Sequence, residues 1–122
     1  MKDPINWFEL PVINLERATA FYETVLARKL KPDTTGPIPM AIFTRDGEGI
    51  GGALIKDDRR KPVTDGALVY FNTDGALDAC VGRVAKAGGK VLMPKTDIGD
   101  PGFIAIVLDT EGNSVGLHSE RS

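Results

Sequence analysis

The chain has 122 residues, of which 42% are hydrophobic and 26% charged, with a formal net charge of −2; this suffices for one domain with a real core. Its one basic run, Arg59-Arg60-Lys61, sits beside Asp57 and Asp58 as a solvated loop, which argues against a nucleic-acid partner. No apolar run approaches the roughly 20 residues of a membrane-spanning helix, so no membrane partner is expected.

Met1-Lys2-Asp3-Pro4 leads directly into a strand, Ile5–Val12, so no signal peptide is expected. Within that strand Phe8, Leu10 and Val12 share one face, and Ile5, Trp7, Glu9 and Pro11 the other. Asn14 is suited to cap the helix of Asn14–Leu26, whose stripe of Leu15, Ala18, Phe21, Tyr22, Val25 and Leu26 matches the apolar face of the strand. Lys29–Asp33 is a short strand and Thr34–Pro39 a loop. Met40–Arg45 and Ile50–Lys56 form a hairpin around Asp46-Gly47-Glu48-Gly49, since Asp-Gly supplies the positive φ of such turns. Lys56–Gly66 is the linker.

The second half repeats the plan. Ala67–Asn72 is a strand and Asp74 a candidate cap for the helix Asp74–Ala87. Leu77, Cys80, Val81, Val84 and Ala85 make its buried stripe, and Gly88-Gly89 ends it in a left-handed cap. The lone Cys80 excludes an internal disulfide and reads as a buried thiol. Lys90–Lys95 is a strand, Asp97–Pro101 a loop containing the turn Gly99-Asp100-Pro101-Gly102, and Phe103–Leu108 an interior strand. Thr110-Glu111-Gly112-Asn113 turns the chain into the last strand, Ser114–Ser119. The two halves are offset by about sixty residues, and such an internal repeat governs the fold. The class is α+β. Two βαβββ modules, about 4–57 and 66–120, form one domain over 1–122: a curved eight-stranded mixed sheet around a central groove, with the helices on the convex side.

The segments "LPVINLERATAFYETVL" and "GGKVLMPKTDIGDPGFIAIVLDTEGNSVGLH", joined by the duplicated plan, resemble the vicinal-oxygen-chelate superfamily. That group includes glyoxalase I, extradiol dioxygenases, bleomycin- and fosfomycin-resistance proteins and methylmalonyl-CoA epimerase. The resemblance implies a cytoplasmic homodimer with a small-molecule site between the modules. Its metal-using members hold a divalent ion with His, Glu or Gln on four strands, leaving open positions at which substrate oxygens chelate. Carried onto this chain, those positions fall on Trp7, on the ligand-free strand Gly51–Ile55, near Leu68, and on Gly116. The expectation is therefore a member without metal or other cofactor.

Alternation then places Trp7 and Glu9, Leu68, Tyr70 and Asn72, and Ser114 and His118 on the groove side. Trp7, Glu9, Tyr70, Asn72 and His118 are the candidate binding residues for a small apolar or aromatic ligand. Glu9 and His118 are also the candidate catalytic pair: in contact, they could abstract a proton beside a carbonyl, and apart or bonded to the backbone they would only hold strands together. The alternative function is thus a lyase, isomerase or dioxygenase of the same superfamily, with Glu9 and His118 as acid–base groups or as ligands to a divalent metal.

Overall fold

The computed structural model describes residues 3–44 and 49–121. Ten elements follow in order: β1 (Trp7–Pro11), α1 (Leu15–Leu26), β2 (Leu30–Asp33), β3 (Met40–Phe43), β4 (Gly51–Ile55), β5 (Tyr70–Asn72), α2 (Leu77–Val84), β6 (Lys90–Asp97), β7 (Phe103–Leu108) and β8 (Ser114–Ser119). The repeat is present as two βαβββ units. Each builds its own mixed sheet, in the orders β1-β4-β3-β2 and β5-β8-β7-β6. The first strand of each unit lies parallel to the last, and the other pairs are antiparallel. The strands thus form two ladders of four rather than one ladder of eight, with β1 and β5 each at the edge of its own sheet.

One core spans both units. Phe43 of β3 and Phe71 of β5 meet each other, Phe8 of β1 and Tyr22 of α1 at ring-centroid separations of 5.1–5.7 Å. Such tilted and edge-on pairs add to the burial of their area. The alternation read for β1 holds: Leu10 and Val12 are buried on the side of Phe8, while Trp7 and Glu9 are exposed on the other. The two helices are clamped directly. Arg83 of α2 donates to the Thr24 and Val25 carbonyls at the end of α1, at 2.9–3.2 Å, positions that a helix leaves without internal partners.

The two helix starts differ in how they are capped. Asn14 caps α1 as expected, its Oδ1 accepting from the Arg17 N–H at 3.0 Å. Asp74 does not cap α2. That helix begins three residues later, at Leu77, with no side-chain cap on Ala76. Asp74 instead accepts from the Glu120 N–H at 2.7 Å, just beyond β8, so a tertiary partner has taken the carboxylate. Ala85 is exposed rather than part of the buried stripe, while Leu77, Cys80 and Val84 are buried. Burial raises the pKa of the Cys80 thiol, against a smaller opposing effect of Arg83.

The end of α2 follows the glycine reading. Gly88 adopts φ +100°, and the Gly89 N–H to Val84 O and Gly88 N–H to Ala85 O bonds form the paired closure of a Schellman motif. By contrast α1 ends on Ala27 at φ 54°, ψ 46°, where a Cβ is unfavourable. Ala27→Gly is expected to stabilise the protein by about 0.5–1 kcal/mol, read as a higher urea midpoint; an unchanged or lower midpoint would mean that the left-handed turn carries no strain.

The hairpin strands are β3 and β4. The tip read as Asp46-Gly47-Glu48-Gly49, and Arg45 before it, fall mostly outside the described residues, since only Gly49 is described. Strand β5 is shorter than expected and starts at Tyr70, although the Gly116 N–H to Val69 O bond continues its pairing with β8 by one step. Strand β6 runs on to Asp97 with two register shifts against β7, and β7 and β8 have the expected limits. Among the described residues no helix is long and apolar enough to cross a membrane.

Candidate functional site

The face of β1 and β5 turned away from the core carries the side chains of interest. On β1 the Trp7 indole N–H donates to Glu9 Oε2 at 3.2 Å. The two residues are neighbours on one face of an extended strand, and the bond fixes how the indole is turned. Trp7 remains 42% exposed. Among the described residues no group bonds the other Glu9 oxygen.

On β5 the Tyr70 ring lies flat across Gly116, its register partner on β8. A Cβ at Gly116 would stand 2.2 Å from Tyr70 Cδ1, so the ring occupies the space that any other residue's side chain would need. Tyr70 is 44% exposed, and it makes no ring contact with Trp7. Strands β1 and β5 are nonetheless neighbours, because Phe8 and Phe71, adjacent to these two residues in sequence, touch at 5.7 Å on the core side. Asn72, on the same face as Tyr70, accepts from the Asp74 N–H at 2.9 Å and shapes the turn towards α2.

His118 of β8 lies half-buried at the register position of Asn72. Its Nε2 stands 2.6 Å from the Pro101 carbonyl oxygen. A carbonyl can only accept, so Nε2 carries the hydrogen. The Gly99–Gly102 turn that presents this carbonyl closes through the Gly102 N–H to Gly99 O bond, 3.0 Å. No hydrogen bond or ion pair joins Glu9 to His118. Each is held by a different group, the indole of Trp7 and the backbone at Pro101.

The donor chemistry of this face does not suit a metal. Trp7, Leu68 and Gly116 stand where the resemblance implied ligands, and strand Gly51–Ile55 contains none. Among the described residues no group of three or more His, Cys, Asp or Glu could hold a metal ion. An open depression of about 380 Å³ lies elsewhere, between the first turn of α2 (Gly75–Ala79) and Lys95, Phe103, Ser119 and Glu120.

The most heavily bonded polar groups stand apart from this face and are not among the residues expected from the sequence. Glu111, in the β7–β8 turn, has a fully buried side chain. Its oxygens accept from the Ile13 and Asn14 N–H groups at 2.9 and 2.7 Å, from Arg17 at 2.7 and 3.0 Å, and from Thr110 at 2.9 Å. Burial by itself would raise the Glu111 pKa; the bonds from Arg17, Asn14, Thr110 and Ile13 outweigh it and hold the group at about 2. Beside it Asp109 accepts from three backbone N–H groups of the same turn at 2.8–2.9 Å and from the Tyr22 hydroxyl at 2.6 Å. Burial, followed by the Asp109 charge and hydrogen bond, pushes the Tyr22 pKa well above its ordinary 10. These groups pin the second unit to the start of α1. The available signal was an acidic pair in a turn between two apolar strands.

Residues 4–117 match the family model described as the Glyoxalase/Bleomycin resistance protein/Dioxygenase superfamily. The chain belongs to this superfamily. Among relatives, it is 32% identical over 115 residues to a glyoxylase-like domain-containing protein of Didymella fabae, covering 90% of this chain and 88% of that one. It is 30% identical over 120 residues to the putative glyoxylase CFP32 of Mycobacterium bovis, where the match covers 92% of this chain but 44% of the mycobacterial protein. The fold also matches a solved glyoxalase/bleomycin resistance protein from Albidiferax ferrireducens, with a TM-score of 0.74 at 15% identity over 98% of this chain and all of that one.

Proposed function

We propose that this superfamily member is a metal-free binder of small apolar or aromatic molecules, taken up on the face that carries Trp7 and Tyr70. The observation behind this reading is the pairing of an indole anchored by Glu9 with a phenol ring laid over Gly116, both largely open to solvent. Exposed aromatic faces beside a few polar groups suit ligand stacking. Glu9, Asn72 and His118 supply the polar contacts. The acid–base alternative is less well supported, because Glu9 and His118 are each bonded elsewhere. A homodimer in the cytoplasm completes the reading, and light scattering tests its stoichiometry.

Trp7 is the only tryptophan, so its fluorescence reports directly on the site. A panel of small aromatic compounds is expected to quench it saturably. Trp7→Ala is expected to weaken binding of the same compounds by at least about tenfold, followed by calorimetry or ligand-observed NMR, in line with a stacking contribution of about 1 kcal/mol or more plus lost buried area. Loading with Mn, Fe, Ni or Zn followed by elemental analysis is expected to leave no stoichiometric metal. Stoichiometric metal, or unchanged binding by Trp7→Ala, would overturn the proposal.

A further inference from the structure

Resting on that reading, we infer that the ligand is an organic cation, a protonated amine or quaternary ammonium on an apolar or aromatic body, with Glu9 as its counter-ion. The inference comes from the charges of the face. On β1 and β5 and on the strands paired with them, β4 and β8, the residues turned from the core are Trp7, Glu9 and Pro11; Gly51, Ala53 and Ile55; Tyr70 and Asn72; and Ser114, Gly116 and His118. Glu9 is the only carboxylate among them, and no lysine or arginine occurs. The next strands present Met40 and Ile42 from β3 and Ile104, Ile106 and Leu108 from β7, all uncharged. Lysines enter the ladders on this side only at the outermost strands, as Lys31 opposite Ile42 and Lys90 opposite Leu108.

Strand spacing puts Lys31 about 14 Å from β1, beyond the roughly 8–10 Å over which exposed charges interact at ordinary salt. Among the described strand residues Glu9 is therefore the charge nearest the site. Its Oε2 is engaged by the neutral indole N–H of Trp7, and among the described residues no cation pairs with it and no donor takes Oε1. The same bond turns the indole beside the carboxylate. A cation there meets a carboxylate together with the electron-rich face of an aromatic ring, and these two attractions have the same sign. An anionic ligand would meet repulsion from both.

Three probes of one shape separate charge from shape: phenyltrimethylammonium, its neutral isostere tert-butylbenzene, and benzenesulfonate. Each is titrated against the intact protein at ordinary salt, followed by Trp7 fluorescence and by the indole N–H shift in NMR. The cation is expected to bind at least about fivefold more tightly than the neutral isostere, as exposed cation–π and ion-pair contributions would give. Benzenesulfonate is expected to bind most weakly. Glu9→Gln keeps the shape and an acceptor for the indole, and should bring the cation-to-neutral ratio below about two. Equal binding of cation and neutral probe, a preference for the sulfonate, or a cation preference that survives in Glu9→Gln would overturn this inference and leave aromatic binding standing. Failure of all three probes to perturb Trp7 would overturn both.

Discussion

Glu111→Ala is expected to destabilise the protein by about 3 kcal/mol, seen as a large drop in the urea midpoint. The substitution removes one carboxylate and strands several donors at once. The Ile13 and Asn14 N–H groups lose their only side-chain acceptor, Arg17 loses its partner, and the turn loses its attachment to α1. Each buried donor left unsatisfied costs about 1–3 kcal/mol. Arg17 itself is half exposed and can return to water, so most of the loss is assigned to the two backbone groups. The pH dependence has a definite sign. Glu111 is held at about 2, below its ordinary 4.5, so the stabilisation it provides is complete above about pH 4.5 and is lost as pH falls towards 2. Asp33, Asp57 and Asp97 are lowered too, by partners at the surface, where screening leaves them little weight. Glu111→Gln should therefore flatten the fall in stability between pH 4.5 and 2. An equally steep fall in that variant would show that acid sensitivity arises elsewhere.

The elements legible in the sequence were those whose signals are local. Asn14 caps a helix by accepting from the Arg17 N–H three residues on, Gly88 sits where a left-handed residue must be, and Phe103–Leu108 and Ser114–Ser119 have the expected limits because turn residues bound them. The errors lie where a distant group intervenes. Asp74 had the right chemistry for a cap, but the Glu120 N–H, 46 residues away in sequence, holds it instead. Glu111 lies 97 residues from Asn14, and no local pattern reveals that a hairpin turn will reach the start of the first helix. On β1 and β5, Trp7, Glu9, Tyr70 and Asn72 fall on the face opposite Phe8 and Phe71 as alternation implies, since a period of two needs only the strand itself. The contact partners were not legible. That Glu9 would bond Trp7, and His118 the Pro101 carbonyl, depends on rotamers and on a loop whose approach the sequence does not encode locally.

Gly52→Ala and Gly116→Ala are expected to differ sharply, although both glycines lie on the closing strand of a unit and both face an aromatic ring. At Gly52 a Cβ would fall 2.2 Å from Phe8 Cε1. Phe8 cannot retreat, because Phe43 lies 5.5 Å and Phe71 5.7 Å from it, centroid to centroid, inside the shared core. Overpacking at such a position costs about 1–3 kcal/mol, and the upper end is expected here, since the displacement would pass through the ring cluster that joins the two units. At Gly116 the obstacle is equally close, Tyr70 Cδ1 at 2.2 Å, but that ring is largely open to solvent and can swing away. Replacing a strand glycine also returns about 0.5–1 kcal/mol of backbone entropy, which offsets the lost ring contact, so Gly116→Ala should stay within about 1 kcal/mol of the parent. Its effect should appear in binding instead, because the displaced phenol no longer presents the face it holds over Gly116. Urea unfolding and Trp7 quenching, measured on both variants, separate the two outcomes. Equal stability losses would show that the Tyr70 ring is as firmly held as Phe8, and a Gly116→Ala protein with parental stability and parental binding would remove Tyr70 from the site.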